Sequence, residues 1–167
     1  KTAYIYDPQT IMLFFNEPMD ESTLSLEQNY SVDQGIGSPT FAATNPYADF
    51  VILQFTGTFQ KNITYTLTVS NLKDCSGNLI SNTTTVKVAI ADTANDADLL
   101  INEILFNPYN GGYDFVELYN NSNKIFDLRG LKIANADLAT DTLNDIYEIT
   151  SDNLLLFPGD YLAITEN

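Results

Sequence analysis

The sequence predicts an all-β chain. Three observations carry that expectation. Short stretches rich in Val, Ile, Thr, Tyr and Phe recur along it; clusters of Gly, Pro, Asn and Asp separate them; and no long amphipathic helical period interrupts the series. With 44% hydrophobic residues the chain can bury a core, which argues against disorder. Its 167 residues suit one large domain or two small ones.

The first strands are expected at Ala3–Tyr6, Thr10–Phe15, Asn29–Val32, Thr40–Ala43, Phe50–Phe55, Tyr65–Ser70 and Thr83–Ala91. Alternation is clearest in Tyr65-Thr66-Leu67-Thr68-Val69-Ser70, the period of a half-buried strand. Asp7-Pro8, Gly35–Pro39, Asn45-Pro46 and Asp74–Asn78 supply turns between them. Seven strands in about 90 residues fit an immunoglobulin-like sandwich. After the strand IMLFF, the stretch Asn16–Leu24 reads as a short helical turn capped by Asp20, with Met19 plugging the end of the sandwich. Gly77 is placed for a positive φ, and Asp74 and Asn78 for bonds to turn amides.

Composition then shifts. Ala91–Asp98 has no large apolar residue, and residues 92–98 read as an acidic linker between domains. Beyond it, LLINEILF and DFVELYN read as two strands, with Asn107, Pro108, Asn110, Gly111 and Gly112 between them as a turn. Further strands are expected at Lys124–Asp127, Leu131–Ala134, Ile146–Ile149, Leu154–Phe157 and Tyr161–Thr165. Asn135–Asn144 reads as a polar loop and Pro158-Gly159-Asp160 as a turn.

Two resemblances attach to these motifs. The order IMLFFNEPMDESTL, NYSV, VILQF and YTLTVSNLKDCSGNLI, over residues 3–91, resembles the bacterial Ig-like domains of surface-layer and adhesion proteins. The order LLINEILFNP, DFVELYNNSNKIFDLRGLKIAN, IYEIT and LLLFPGDYLAITEN resembles a lamin tail domain, itself an immunoglobulin-like sandwich found in nuclear lamins and in secreted bacterial proteins. Leu131 stands where many members of that family place a tryptophan. The family's closing strands have no counterpart up to Asn167, and residues 98–167 fall short of the roughly 100 residues of such a sandwich. The expected fold is therefore all-β, two tandem immunoglobulin-like β-sandwiches, the second truncated at its C-terminus. Residues 1–91 form the first and 98–167 the second. An incomplete sandwich leaves apolar faces and open edges, so strand-swapped self-association is expected of it, or else a clipped chain. Both resemblances imply a secreted or cell-surface bacterial protein with a signal peptide upstream of Lys1.

Charge excludes some functions. Seven basic and 22 acidic residues leave a net charge of −15, and neutralising phosphates needs clustered Lys and Arg. Nucleic acid and anionic membrane surfaces are poor partners for such a chain, and no run is long enough to span a membrane. With no histidine there is no Ser-His-Asp or Cys-His site and no imidazole zinc site. The single Cys75 cannot form an internal disulfide and reads as an inert thiol. Gly35-Ile-Gly37 and Gly111-Gly112 lack the strand-to-helix context of a phosphate cradle.

Four groups remain as candidates. Asp92, Asp96, Asp98 and Glu103 are candidate calcium ligands. Asp92 and Glu103 have the first-to-twelfth spacing of an EF-hand loop, but Ala94 and Ala97 stand where that loop needs a ligand and a glycine, so only a looser site survives. Glu103 and Glu117 lie on neighbouring strands, as a glycosidase pair would, yet read as structural, with Lys132 or backbone amides as partners. Tyr47, Tyr109 and Tyr113, with Tyr4 and Tyr6, are candidate glycan-stacking residues against the usual core role of aromatics in sandwiches. Asn29-Tyr-Ser31, Asn62-Ile-Thr64, Asn82-Thr-Thr84 and Asn120-Asn-Ser122 match the N-glycosylation pattern. The sum is a non-catalytic spacer or interaction module with no required cofactor, engaging a protein or a cell-surface polysaccharide. The rival is a polysaccharide-binding accessory domain of an extracellular hydrolase.

Overall fold

The structure, a computed structural model, describes residues 2–80, 84–106 and 109–165. The expected turn residues Asn107 and Pro108 and the acceptor Asn82 lie outside the described residues, as does Thr83. The chain is nearly all-β and divides into two compact units, Lys1–Ile90 and Ala91–Asn167.

In the first unit, β1 (Thr2–Asp7), β2 (Thr10–Phe14), β4 (Phe41–Thr44) and β5 (Phe50–Gln54) form an antiparallel sheet of order β1-β2-β5-β4. A second antiparallel sheet, of order β3-β6-β7, is built from β3 (Tyr30–Val32), β6 (Tyr65–Val69) and β7 (Thr84–Val88). Four strands over three is the seven-strand sandwich expected from the spacing. Alternate residues supply the core: Ile11 and Leu13 of β2 stand opposite Leu53 and Val51 of β5, and all four are fully buried. Across the second sheet Tyr30 pairs with Val69 and Val32 with Leu67, again buried. Phe59 sits edge-on to both Phe55 and Tyr65, with ring centroids 5.5 and 5.0 Å away.

The insertion after β2 closes one end. Helix α1 (Glu21–Leu24) is capped by Asp20, whose carboxylate accepts from the Ser22 amide at 2.9 Å and the Ser22 hydroxyl at 2.7 Å. Met19 and Leu24 are buried. The Tyr30 hydroxyl donates to the Leu24 carbonyl at 2.8 Å, and burial pushes that phenol's pKa well up. The insertion is tied to the Asp74–Asn78 turn through Asp20 N to Lys73 O at 2.9 Å. In that turn the Asp74 carboxylate accepts from the Ser76 and Asn78 amides, and Gly77 has a φ of +85°.

In the second unit, β8 (Leu99–Leu105), β9 (Phe115–Asn120) and β14 (Tyr161–Thr165) form a sheet of order β14-β9-β8. Two further ladders join β10 (Phe126–Asp127) to β13 (Leu155–Leu156), and β11 (Lys132–Asp137) to β12 (Thr142–Glu148). Phe126, Leu128 and Leu156 form a small core, with Leu99, Leu131 and Leu162 packed on it. Asn120 is buried and fully engaged: its Nδ2 donates to the carbonyls of Lys124 and Leu156, and its Oδ1 accepts from Ser122 N and Oγ.

One sequence expectation needs correction. The polar loop at 135–144 is instead a hairpin, with Asn135 opposite Asn144 and Asp137 opposite Thr142. Ladder pairing there overrides the poor strand propensity of Asn and Asp. The acidic stretch 91–98 clusters with the second unit: Asp92 N donates to Ile125 O at 2.8 Å, and Asn121 N to Asp98 O at 2.8 Å.

Removing the fully buried Leu67 side chain (Leu67→Ala) is expected to cost about 3 kcal/mol of unfolding free energy. Leu138→Ala, at a side chain 93% exposed, is expected to stay within about 0.5 kcal/mol in the same urea titration.

Candidate functional site

An antiparallel sheet with one buried face ordinarily turns polar residues outward. The sheet β1-β2-β5-β4 does so only at Thr2, Thr10 and Gln54. Its outward face carries Tyr4 and Tyr6 from β1, Met12 and Phe14 from β2, Phe50 and Ile52 from β5, and Phe41 from β4. The inward positions between them are Ala3, Ile11, Leu13, Val51, Leu53 and Ala42. The register lines these residues up in cross-strand rows, Tyr4 beside Met12 beside Ile52, and Phe14 beside Phe50. Tyr4 and Phe14 stack at 5.8 Å and 15°, and Phe14 meets Phe50 at 5.4 Å and 35°. The Tyr4 hydroxyl lies 3.3 Å from Met12 Sδ. Tyr6 is 67% and Phe41 47% exposed, so the face reaches water at both edge strands. A shallow hollow of about 350 Å³ runs between Tyr6, Asp7, Thr10, Met12, Ile52 and Gln54. Chemically this is a rigid, aromatic and thioether surface suited to van der Waals and stacking contacts.

Sequence reasoning found Tyr4 and Tyr6 but missed Met12, Phe14, Phe41, Phe50 and Ile52. The signal was present: IMLFF and FVIL are apolar at every position, which marks a strand with two apolar faces.

Other candidates are placed apart from this face. Tyr47 stands in the β4–β5 turn of the first unit, exposed; Tyr109 and Tyr113 stand exposed in the β8–β9 loop of the second. Among the described residues no ring contact joins any of the three to another aromatic. The stacked pair in the second unit is instead Tyr119 and Tyr161, at 4.6 Å on neighbouring strands.

Of the carboxylates at 92–103, Asp92 lies close enough to Asp98 to act on its charge. Among the described residues no group of three His, Cys, Asp or Glu side chains gathers to hold a metal ion. Asp98 already holds a cation, the Lys124 ammonium at 2.7 Å, and also accepts from Asn95 N at 2.8 Å; the two hold its carboxyl below the usual range. Asp92 accepts from Thr93 N, and Glu103 is exposed on β8. Glu103 lies opposite Glu117 across the β8–β9 ladder; Glu117 takes a hydrogen bond of 2.7 Å from Asn102 Nδ2, not from Lys132, which pairs across the strands with Glu148.

The Cys75 thiol donates to Met19 O at 3.4 Å. Of the glycosylation matches, Asn29 is buried and donates to Thr23 O, and Asn120 is saturated as described, so neither side chain is free to accept a sugar; Asn62 is exposed.

The first unit is thus a member of the immunoglobulin-like sandwich class. A family model, the bacterial Ig-like domain, matches residues 3–88, and the chain belongs to that family. Among solved structures, the N-terminal part of the bacterial S-layer protein SbsC is similar at 15% identity and a TM-score of 0.49, covering 96% of this chain and 43% of that one. The S-layer protein rSbsC(31-844) is similar at 12% identity and a TM-score of 0.49, covering 99% and 31%. The chain thus spans less than half the length of either. No curated protein matches. Among the described residues no helix is long and apolar enough to cross a membrane.

The shifted carboxylates predict an acid dependence. Hydrogen bonds from Ser22, Asn78, Lys124 and Ala139 hold Asp20, Asp74, Asp98 and Asp137 respectively below their ordinary 3.8. A depressed folded pKa lends stability that is complete above the unfolded value and is lost as pH falls through the lowered one. Melting temperature is therefore expected to drop below about pH 4. Asp74→Ala and Asp98→Ala should each lower the neutral-pH melting temperature and flatten that acid limb, in melts from about pH 6 to about pH 2.

Proposed function

We propose that this chain is a non-catalytic module of a secreted or surface-attached bacterial protein, spacing and docking rather than turning over a substrate. The observation that carries the reading is the aromatic outer face of β1-β2-β5-β4, held rigid by a fully packed core. Family membership supports it, as does the origin of the carboxylate shifts in caps, turns and an ion pair. The second unit is read as lamin-tail-like, on its motifs. The charge of −15 speaks against nucleic acid as a partner.

A second reading, a polysaccharide-binding accessory domain of an extracellular hydrolase, is favoured by the same face. The apolar C–H faces of pyranose rings stack on exposed aromatics, and Tyr6 and Phe41 are the rings water reaches most. A glycan array separates the two. A blank array is the expected outcome for a protein-docking spacer. Binding that disappears in Tyr6→Ala and Phe41→Ala, with the melting temperature held within a few degrees, would assign the accessory role instead.

A further inference from the structure

The second unit holds a cleft of about 580 Å³ between the three-stranded sheet and the β11–β12 hairpin. Its floor is one cross-strand row, Ile104, Val116 and Ile164, of the sheet face that a row further on holds the buried Leu118 and packs Leu162 on the small core. The core therefore closes one end of this face and leaves the other open, with Ile104 55% exposed. Ile133, Tyr147 and Ile149 line the facing wall.

Two further features say what fits there. Of the five strands lining the cleft only β9 is paired on both sides; β8, β14, β11 and β12 each have a single partner among the described residues. A strand lying on the face of the three-stranded sheet stands about 10 Å above it, level with the facing hairpin, so the free edges of β11 and β12 are the ones its main chain can complete, which selects an extended peptide over a compact ligand. The charged residues of the lining are Asp114, Asp145 and Glu148, with no Lys or Arg among them. The whole second unit carries 14 acidic against three basic residues. A second copy of the same unit brings like charge to the cleft, whereas a strand bearing Lys or Arg brings complementary charge.

We infer that this cleft receives an extended β-strand of a partner protein, apolar on the side facing Ile104, Val116 and Ile164 and bearing Lys or Arg on the other. The site is independent of the aromatic face of the first unit, so a blank or positive glycan array leaves it untouched.

The test uses the full chain and two fluorescent ten-residue peptides, one alternating valine and lysine, the other valine and glutamate. Fluorescence anisotropy is expected to show the lysine peptide binding about tenfold more tightly or better. Hydrogen exchange should then show new protection confined to the strands around the cleft. Ile164→Lys should abolish binding, and the exposed pair Asp114→Lys with Glu148→Lys should turn the preference toward the glutamate peptide while leaving the melting temperature close to wild type. Equal affinity for both peptides, or no binding of either, overturns the inference. So does lysine-peptide binding that survives Asp114→Lys with Glu148→Lys but is lost in Glu17→Lys with Glu27→Lys on the first unit, since that is unspecific charge attraction. Dimers in light scattering whose contact protects β14 would overturn it in favour of a second copy.

Discussion

The first unit depends on burying one face of its four-stranded sheet. Ile11, Leu13, Val51 and Leu53 have no exposed surface, and each contributes roughly 1.5–3 kcal/mol on leaving water. In most sheets that burial also fixes register, because a slip of one residue would swap an apolar set for a polar one. Here the slip would bring in Met12, Phe14, Phe50 and Ile52, which are apolar as well. The central positions of the pattern do not choose between the faces, and Thr2, Thr10 and Gln54 are the polar members of the outward set. The choice falls to groups with direction: the Asp20 cap, the Asp74 turn and the buried Met19 that bridges to it. Polar anchors at the ends of the sandwich thus decide which of two apolar faces becomes the core.

The second unit solves the opposite problem. Among its described residues the clustered core, Phe126, Leu128 and Leu156 with three half-buried leucines on it, is small for the three separate ladders it must hold together. Asn120 makes up part of the difference. One buried amide satisfies all its bonds by tying β9 to the loop at Ser122–Lys124 and to β13. A buried polar network with every member satisfied specifies a single arrangement, and a half-satisfied one does not. The Asp98–Lys124 pair extends the same tie to the residues leading into β8.

Legibility in the sequence followed physical periodicity. YTLTV, with strict alternation, corresponds to β6 with Tyr65, Leu67 and Val69 buried, and the acidic cap at Asp20 and the glycine turn at Gly77 stood where local chemistry placed them. The β11–β12 hairpin was hidden because Asn135, Asp137, Asn144 and Asp145 carry a turn-like composition and only pairing across the ladder makes them strands. The aromatic face was hidden for another reason. Single residues such as Tyr4 and Phe14 are visible in the sequence, but which residues share a face emerges only once the β1–β2–β5 register is known. Likewise nothing in Asn120-Asn-Ser122 distinguishes a surface acceptor from a buried tie; the distinction is tertiary.

The pairing of Glu103 against Glu117 bears on how the second sheet breathes. Like charges directly opposite weaken a ladder, a bulge already interrupts this one between Ile101 and Glu103, and β8 is an edge strand. β8 is therefore the seam along which that sheet opens most readily, ahead of β14, whose ladder to β9 runs unbroken over five pairs. Glu103 is exposed and Glu117 half-buried, so dissolved salt screens what repulsion the two carboxylates exert across that seam.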